Sequence, residues 1–439
     1  MKRIFPPFAY GAGPRETCWW DETASLPTHA TYQGEASFDV AIVGGGFTGL
    51  SAALHLGRAG ARVIVLDAQQ VGWGASGRNG GFCCLGGGMR GDASLDKAFG
   101  QSARREWRMT ERAAVDGVET LIADLGIDVD RHSDGETCLA HRARDARSFE
   151  GETQAIYENY GVVAETLLAS DLESAGMSGP FHGALTIPVG FGLNPRKLLA
   201  GLLGACVSYG VEFHGESQVT EIAPGRLTTQ RGVVHAPQII VATNGYSSED
   251  VPPWLASRFM PAQSTVLVTR PLDDDELQRQ GWVSDQMAYD SRNLLHYFRL
   301  MPDRRFLFGM RGGLRSGPSA ERSARARVLR DFRHMFPAWR SVDVTHTWSG
   351  MVCLARNRLP FVGPIPEMRG VLAGFAYHGN GVAMGTHVGA ILAALASGTR
   401  AEHYPSVMAH PANRFPLGRL RRAAMPAVYA ALKLSDALP

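Results

Sequence analysis

The chain has 439 residues, of which 45% are hydrophobic and 20% are charged, an ordinary globular composition in a chain long enough for two domains. A formal net charge of +2 gives no strong field for binding nucleic acid, and no apolar run reaches the roughly 20 residues of a membrane-spanning helix. The six cysteines form no CxxC pair and the start of the chain does not resemble a secretory signal, so we expect a reduced, cytoplasmic protein without a metal site.

The first third of the chain predicts a leader followed by a βαβ unit. Residues 1–37 lack periodicity, and Cys18–Trp20 suggests an ordered leader packed on the body, because exposed tryptophan pairs are costly. Phe38–Val43 is a short apolar run that suits a buried parallel strand. Thr48–Ala59 has helical spacing, and Arg62–Leu66 is a second β-branched run. Together these segments have the size of one βαβ unit.

The remaining elements alternate between helices and strands. The predicted helices are Asp96–Leu125, Arg196–Tyr209 and Gly381–Ala396. The predicted strands are Glu212–Ile222, His235–Val241, segments of Trp254–Arg270 and Leu294–Met310, and Val371–Ala376.

The strongest motif is the loop Gly44-Gly45-Gly46-Phe47-Thr48-Gly49 between the first strand and the first helix. Its glycines permit a tight turn, close approach of the backbone to a pyrophosphate and close packing of the helix on the sheet. Asp67 ends the second strand, where an acidic side chain binds ribose hydroxyls. The loop therefore predicts a dinucleotide site, and the alternative is a glycine-rich turn in an ordinary α/β domain.

Three further small-residue clusters favour FAD over NAD. Gly72–Gly81 follows the ribose strand directly, Ala242–Gly245 ends an apolar strand, and His378–Val382 joins a strand to the long C-terminal helix. Such loops offer backbone donors to a flat polar ligand, although a flexible surface loop is the simpler alternative for the first. Because the clusters are spread over the chain, they indicate one large cofactor contacted by distant segments.

These features predict an α/β fold with an interleaved organisation. A Rossmann-type FAD-binding domain would comprise residues 38–130, 188–250 and 345–439, with residues 1–37 as the leader. An α+β substrate domain built on a mixed or antiparallel sheet would comprise residues 131–187 and 251–344.

The sequence resembles the glycine/D-amino-acid-oxidase-type FAD-dependent oxidoreductases, and within them the γ-glutamylputrescine-oxidase-like branch. The resemblance covers nearly the whole chain. The segments that carry it are Val40–Leu56, Gly74–Gly81, Tyr297–Leu300, Trp348–Gly350, Arg358–Gly363 and Gly379–Val382.

The resemblance implies which residues contact the flavin. The pyrophosphate would be held by Gly44, Gly46, Phe47, Thr48 and Gly49, the adenosine ribose by Asp67 and Ala68, and the adenine by the backbone of Val219. The ribityl chain and isoalloxazine would be contacted by Gly74, Ala75, Ser76, Gly77, Arg78, Asn79, Gly80 and Gly81, and the pyrimidine end by Gly379, Asn380, Gly381 and Val382. The other candidate cofactor contacts are Ala242, Thr243, Asn244, Gly245, Gly350 and Arg358.

Three departures from the family pattern qualify these expectations. Asn380 stands where relatives often have histidine, which puts an acid–base role there in doubt. No lysine occurs in the strand Phe306–Gly309, where some relatives carry one that assists oxygen reduction. Cys353 is out of register with the cysteine that attaches the flavin in other members, so we expect non-covalent FAD.

The reaction implied is oxidation of a C–N bond in an amine or amino acid: hydride passes from the α-carbon to flavin N5, the imine is hydrolysed, and O2 or another acceptor reoxidises the flavin. No strong general base is required if the amine binds unprotonated. The substrate-side candidates are Tyr289, His296, Tyr297 and Arg299, with Arg299 as a site for a distal carboxylate.

Several alternatives stay open at this stage. The same fold oxidises C–O bonds in 2-hydroxyacid dehydrogenases, and a non-catalytic flavin-binding subunit would carry the same cofactor motifs. Tyr297 and Arg299 share a strand face and could be ordinary sheet packing. The C-terminal stretch Arg419–Leu438 is basic and then apolar, which suits either a final helix packed on the body or peripheral membrane docking. The oligomeric state is left open.

Overall fold

The computed structural model describes residues 1–438. The strands are β1 Gly34–Ser37, β2 Val40–Val43, β3 Val63–Leu66, β4 Phe82–Cys84, β5 Glu136–Leu139, β6 Glu165–Leu168, β7 Gly183–Ile187, β8 Gly190–Gly192, β9 Glu212–His214, β10 Val219–Ala223, β11 Arg226–Thr229, β12 Gly232–His235, β13 Gln238–Val241, β14 Met260–Pro271, β15 Met287–Asp290, β16 His296–Leu300, β17 Arg305–Arg311, β18 Val344–Leu354, β19 Phe361–Pro364 and β20 Val371–Phe375. The α-helices are α1 Phe47–Arg58, α2 Asp92–Phe99, α3 Gln101–Leu125, α4 Ala143–Tyr160, α5 Pro195–Ser208, α6 Asp274–Gln280, α7 Pro318–Met335, α8 Ala383–Ala396, α9 Ser406–Ala409 and α10 Met425–Ala437. Short 3-10 helices lie at Pro7–Tyr10, Trp19–Glu22, Ala75–Gly77, Ala169–Asp171, Asn244–Tyr246, Pro253–Leu255, Pro337–Trp339 and Gly418–Ala424.

A six-stranded sheet forms the first layer, in the order β19-β20-β13-β2-β3-β9. Its strands run parallel except for β19, which pairs antiparallel with β20. Every residue of β2 and β3 is buried, as expected for a parallel sheet covered on both faces. On one face, α1, α5 and α8 share an apolar core with the sheet. The predicted βαβ unit and Rossmann-type layer are confirmed.

An eight-stranded sheet forms the second layer, in the order β18-β14-β17-β16-β15-β5-β7-β6. All its strand pairs are antiparallel except β15 with β5, so it is the mixed sheet that the sequence predicts. One face packs against α7 through an aromatic core that includes Phe298, Phe308 and Phe332. Because side chains alternate along a strand, Tyr297 points to the opposite face from Phe298.

Three predicted elements divide where the backbone turns sharply. The stretch Glu212–Ile222 forms β9 and β10 in two different sheets, because the chain bends at Glu216, which has a φ of 48°. His235–Val241 is likewise split between two sheets at Pro237, which has no N–H to donate to a strand ladder. The helix predicted from Asp96 is two helices separated by Gly100, whose φ is 86°.

The ends of the predicted domains do not all coincide with sheet membership. The domain boundaries stay a prediction, and β18 lies in the eight-stranded sheet, where it pairs with β14, although residues from 345 onward were expected in the cofactor domain.

In the leader, Trp20 is buried and its indole N–H donates to the Asn79 carbonyl oxygen over 2.8 Å. Within residues 1–438, no helix combines the length and hydropathy needed to cross a membrane.

Candidate active site

In the glycine loop after β2, neighbouring backbone lies so close that two positions have no room for a side chain. Gly44 has a φ of 106°, and a Cβ placed there would lie 2.9 Å from the Ala242 carbonyl oxygen. A Cβ on Gly49 would lie 1.9 Å from the Gly44 carbonyl oxygen, so that only glycine lets α1 approach the strand end. The loop therefore brings the first turn of α1, with its free N–H groups, to the edge of the sheet.

Asp67 lies at the end of β3 and supports this loop from the side. Its two carboxylate oxygens accept hydrogen bonds of 2.8 Å from the backbone N–H groups of Gly45 and Gln69. Burial raises the pKa of Asp67 although these bonds act in the opposite direction. The same carboxylate borders a large cavity, next to Ala68 and Val219.

The loop after Gly72 is held by its own side chains. Asn79 donates to the carbonyl oxygens of Ala75 and Ser76, and its side-chain oxygen accepts from the Gly81 N–H over 2.8 Å. Arg78 is buried, lies 3.9 Å above the Trp73 ring, and donates to the Trp73 carbonyl oxygen. This bracing keeps a glycine-rich segment in one conformation along the cavity wall.

The turn at His378–Val382 closes the cavity at the start of α8. His378 is buried: its Nε2 accepts from the Ala355 N–H over 3.1 Å and its Nδ1 lies 3.0 Å from the Gly87 carbonyl oxygen. Burial lowers its pKa to about 4, so the imidazole is neutral at pH 7. Asn380 donates through Nδ2 to the Leu85 carbonyl oxygen over 2.5 Å, which ties the turn to the strand-end segment after β4.

Tyr297 covers the floor of the cavity on the eight-stranded sheet. Its hydroxyl lies 3.0 Å from Ser264 Oγ, and a Cβ on Gly309 would lie 2.1 Å from its Cζ. A Cβ on Gly80 would lie 2.7 Å from Cε2 of the same ring. The ring is thus fixed between two glycines, and burial raises the pKa of its hydroxyl.

A single cavity of about 410 Å³ connects these segments. It is bordered by both predicted tyrosines, Tyr289 and Tyr297, and by most of the predicted cofactor residues. The cofactor residues that border it are Gly44, Gly46, Phe47, Thr48, Asp67, Ala68, Gly74, Ala75, Ser76, Arg78, Asn79, Gly80, Val219, Ala242, Thr243, Asn244, Gly350, Gly379, Asn380, Gly381 and Val382.

Five predicted cofactor residues do not border the cavity. Gly49, Gly77 and Gly81 are needed for backbone packing, since a Cβ on each would come within 2.2 Å of a carbonyl oxygen. Gly245 packs on β18, where a Cβ would meet Met351 at 3.4 Å. The Arg358 side chain is exposed, and its backbone carbonyl oxygen accepts from the Met89 N–H while its N–H donates to the Ala355 carbonyl oxygen.

Two of the predicted substrate residues do not border this cavity. His296 points to the opposite sheet face, where its Nδ1 lies 2.7 Å from an Asp290 carboxylate oxygen and its ring stacks on Phe308. Arg299 shares the face of Tyr297, as predicted, but is buried behind Gly81 and donates to the Leu193 carbonyl oxygen over 2.7 Å and to His132 Nε2 over 2.9 Å. Arg299 therefore supports the wall and does not border this cavity.

The residues that sequence reasoning missed are Glu136 on β5 and Arg311 on β17. Both line the cavity at the end that holds Tyr289 and Tyr297. Arg311 lies against the glycine turn, because a Cβ on Gly379 would be 2.6 Å from its Nη2. The only sequence signal for either is a charged residue within a strand, which is too common to single them out.

The residues that border the cavity fit a flavin dinucleotide. Gly46 leaves room beside Ser76, since a Cβ there would lie 2.8 Å from Ser76 Oγ. Two buried polar atoms on the wall, Arg78 Nη2 and the Tyr246 hydroxyl oxygen, have no hydrogen-bond partner within residues 1–438. Buried polar groups ordinarily have partners, so both atoms are available to a polar ligand.

Comparison with known proteins identifies the family. Residues 39–395 match the family model DAO, described as FAD dependent oxidoreductase. The chain is 33% identical over 405 residues to the gamma-glutamylputrescine oxidoreductase of Escherichia coli (strain K12), covering 90% of this chain and 92% of that protein. It is 30% identical over 391 residues to the probable oxidoreductase OrdL of Rhizobium meliloti (strain 1021), covering 88% of this chain and 89% of that protein.

Solved structures share the same fold. The glycine oxidase of Geobacillus kaustophilus superposes with a TM-score of 0.69 at 20% identity, covering 85% of this chain and 98% of that chain. The chain is thus an FAD-dependent oxidoreductase of the amine and amino-acid class. The matched segment includes the strands of both large sheets and every strand that borders the cavity. The chain therefore belongs to the DAO family of FAD-dependent oxidoreductases.

Proposed function

We propose that this protein oxidises the C–N bond of an amine that also carries a carboxylate, with FAD held non-covalently along the cavity and the substrate beside Tyr297 and Arg311. The observation that carries this proposal is the continuity of one cavity from Asp67 at the dinucleotide loop to Arg311 at the far end. The E. coli relative is named for a γ-glutamyl derivative of putrescine, which is a substrate of this class.

Along the cavity, the chain's own groups would divide the work of holding FAD, which supplies a two-electron acceptor when bound. The first turn of α1 and the loop from Gly44 would bind the pyrophosphate, and Asp67 would accept from ribose hydroxyls. Arg78 and Tyr246 would satisfy their unpartnered polar atoms on the ligand. The start of α8 would place its positive end near the pyrimidine ring.

At the far end, Arg311 takes the role that the sequence suggested for Arg299. It is a guanidinium on the cavity wall, and it forms no ion pair with any carboxylate in the described part of the chain. A guanidinium binds a carboxylate through two parallel N–H donors, which fixes both position and orientation. Tyr297, held rigidly by its glycine neighbours, would then set where the amine end of the substrate lies.

The cysteine environment favours a non-covalent flavin. Cys353 borders the cavity and is 1% exposed, and burial raises the pKa of its thiol to about 12. Burial also raises the pKa of the Cys84 thiol well above its ordinary value. Both thiols are therefore protonated at pH 7. Since the thiolate is the reactive form of cysteine, neither thiol is in the form that attacks a flavin. Acid precipitation should therefore release all the flavin into the supernatant.

The six thiols also bear on where the protein works. None forms a disulfide in the described residues, and five of the six are buried. We infer a reducing compartment, consistent with the cytoplasmic location expected from the sequence. Purification without reductant, followed by thiol titration of the unfolded chain, should recover six free thiols.

Anaerobic flavin reduction tests the proposed reaction. The FAD-loaded protein would be mixed with ω-amino carboxylates, simple alkylamines, α-amino acids and 2-hydroxyacids while absorbance near 450 nm is recorded. We expect bleaching by amines, fastest for those with a carboxylate. If only 2-hydroxyacids bleach the flavin, the reaction is C–O oxidation and not C–N oxidation. If none of these compounds bleaches it, the protein is a non-catalytic flavoprotein. Readmitting air or an artificial acceptor to the reduced protein then identifies the class of oxidant.

A further inference from the structure

Glu136 is an acidic side chain on the cavity wall at the substrate end. It lies on β5, whose neighbour β15 carries Tyr289, and both side chains border the same chamber as Arg311. Cys138, on the same strand, faces the carboxylate with its thiol. From β4, β15 and β17 the groups that face it are the Cys84 thiol, the Tyr289 hydroxyl and the Arg311 guanidinium.

This carboxylate differs from two other glutamates in the interior. Glu111 pairs with Arg108 over 2.7 Å, and Glu249 pairs with Arg421 over 2.7 Å. For Glu136 the only hydrogen-bond partner within residues 1–438 is the Cys84 thiol, and Arg311 stays beyond ion-pair distance. A half-buried carboxylate without an ion-pair partner is costly, so Glu136 is a site for a positive charge brought by a ligand.

We propose that Glu136 binds the ammonium group of the substrate and accepts one of its protons. The inference rests on the proposed function, that an amine is oxidised in this chamber. In the transfer an N–H bond of the ammonium breaks and an O–H bond forms on the carboxylate, so an ion pair becomes a neutral amine and a neutral carboxylic acid. The neutral amine has a nitrogen lone pair with which to support the loss of hydride from its α-carbon. In this role Glu136 is a catalytic base, whereas the reaction expected from the sequence required none.

The charge state of the chamber agrees with this role. Burial raises the pKa of Glu136 to about 7, while the Cys84 thiol and Arg311 act in the opposite direction. Burial raises the pKa of the thiols of Cys84 and Cys138, and the Tyr289 pKa also lies well above its ordinary value, so all three are neutral at pH 7. Glu136 is thus the group in this chamber whose charge changes near neutral pH. With Arg311 on the wall of the same cavity, the chamber presents one negative and one positive group to a zwitterionic substrate.

A non-oxidisable cation separates binding at Glu136 from catalysis. tert-Butylammonium has no hydrogen on its α-carbon, and tert-butanol is its neutral analogue. Each would be titrated into FAD-loaded wild type, Glu136→Gln and Glu136→Asp while the flavin absorbance change is recorded between pH 6 and 8. Glu165→Gln, on the exposed edge strand of the same sheet, is the matched control.

We expect cation binding by the wild type to tighten at least five-fold from pH 6 to pH 8, as Glu136 ionises. Glu136→Gln should bind the cation at least ten-fold more weakly at pH 8 and show no such pH dependence, whereas tert-butanol binding should be unchanged. Glu165→Gln should behave as the wild type. With an oxidisable amine, Glu136→Gln should also lose the rise of the flavin reduction rate between pH 6 and 8.

The role of Glu136 is overturned if Glu136→Gln, with normal FAD content, keeps cation binding within two-fold of the wild type at pH 8. If Glu136→Gln does not load FAD, the wild type and Glu136→Asp decide, because a pH-independent cation affinity in both also overturns it. A failed proposed function has a different signature: no amine bleaches the wild-type flavin, yet tert-butylammonium still binds in a Glu136-dependent manner.

Discussion

Ser76 Oγ accepts a hydrogen bond of 2.9 Å from the backbone N–H of Phe47. This bond joins the glycine-rich loop after β3 to the first residue of α1, so the two loops that border the same stretch of cavity are fixed to each other. The space beside the bond exists because residue 46 is glycine.

Replacing Ser76 by alanine should weaken FAD binding. A hydrogen bond of this kind contributes about 1 kcal/mol, which corresponds to an FAD dissociation constant roughly five-fold higher. Titration of the apoprotein with FAD, followed by flavin fluorescence, measures the change. Ser174→Ala removes an exposed side-chain bond to Asp171 and should leave FAD affinity unchanged. Equal affinity for Ser76→Ala and wild type would show that the two loops are held by other contacts.

Replacing Gly309 by alanine should destabilise the fold around Tyr297. The new methyl group would overlap the Tyr297 ring, whose Cζ lies 2.1 Å from the position of a Cβ. Overpacking of this kind costs about 1–3 kcal/mol in the free energy of unfolding. Gly117→Ala is the matched control, because nothing lies within 4 Å of a Cβ there and the exposed helix should gain stability. Urea denaturation compares them, and equal stability of Gly309→Ala and wild type would mean that the ring moves freely.

The stability of the protein should fall as pH rises from about 6.5 to about 9. Burial alone would lower the pKa of His296, but its hydrogen bonds to Asp290 and Asp331 raise it to about 9. A pKa raised in the folded state contributes stability that is complete below the unfolded value of about 6.5 and is lost as pH passes the folded value. We expect a loss of about 1–3 kcal/mol over this range by urea denaturation. His296→Gln should flatten the profile, and an unchanged slope would assign the loss to other groups.

Arg299 and Arg311 should give opposite phenotypes when each is replaced by methionine. Arg299→Met leaves the Leu193 carbonyl oxygen and His132 without their donor, at a cost of about 2–4 kcal/mol in the free energy of unfolding. Burial lowers the pKa of Arg299 to about 9, so the guanidinium is charged at pH 7 in the wild type.

Arg311→Met, by contrast, should leave stability nearly unchanged and weaken binding of carboxylate ligands about ten-fold or more. Denaturation curves and inhibition by a simple dicarboxylate measure the two effects. A larger effect of Arg299→Met on carboxylate binding would restore the assignment made from sequence.

The features that sequence predicted well are local in the chain. Gly44–Gly49 and Asp67 belong to one βαβ unit, where strand, turn and helix dictate the geometry over about 30 residues. The two-residue period of a strand correctly placed Tyr297 and Arg299 on one face, and the same period puts His296 on the other.

The features that escaped prediction depend on strand pairing between distant segments. Glu136 and Arg311 border the same cavity because β5, β15, β16 and β17 lie side by side in the larger sheet. The Phe82 ring lies 5.6 Å from the Tyr297 ring and 5.7 Å from the Arg299 guanidinium carbon. Tyr297 borders the large cavity, whereas Arg299, on the same strand face, borders a separate small pocket. The periodicity of the sequence does not predict that two residues on one strand face border different cavities.

The cavity that runs between the two sheets should also couple the stability of the fold to the ligand that occupies it. Its wall includes residues from several distant segments between Met1 and Val382, so a ligand in it holds these segments together. A ligand bound only by the folded state stabilises it in proportion to the logarithm of ligand concentration, about 2.7 kcal/mol at one hundred times the dissociation constant. Cells short of riboflavin should therefore accumulate less of this protein through faster proteolysis of the apo form, even when its transcription is unchanged.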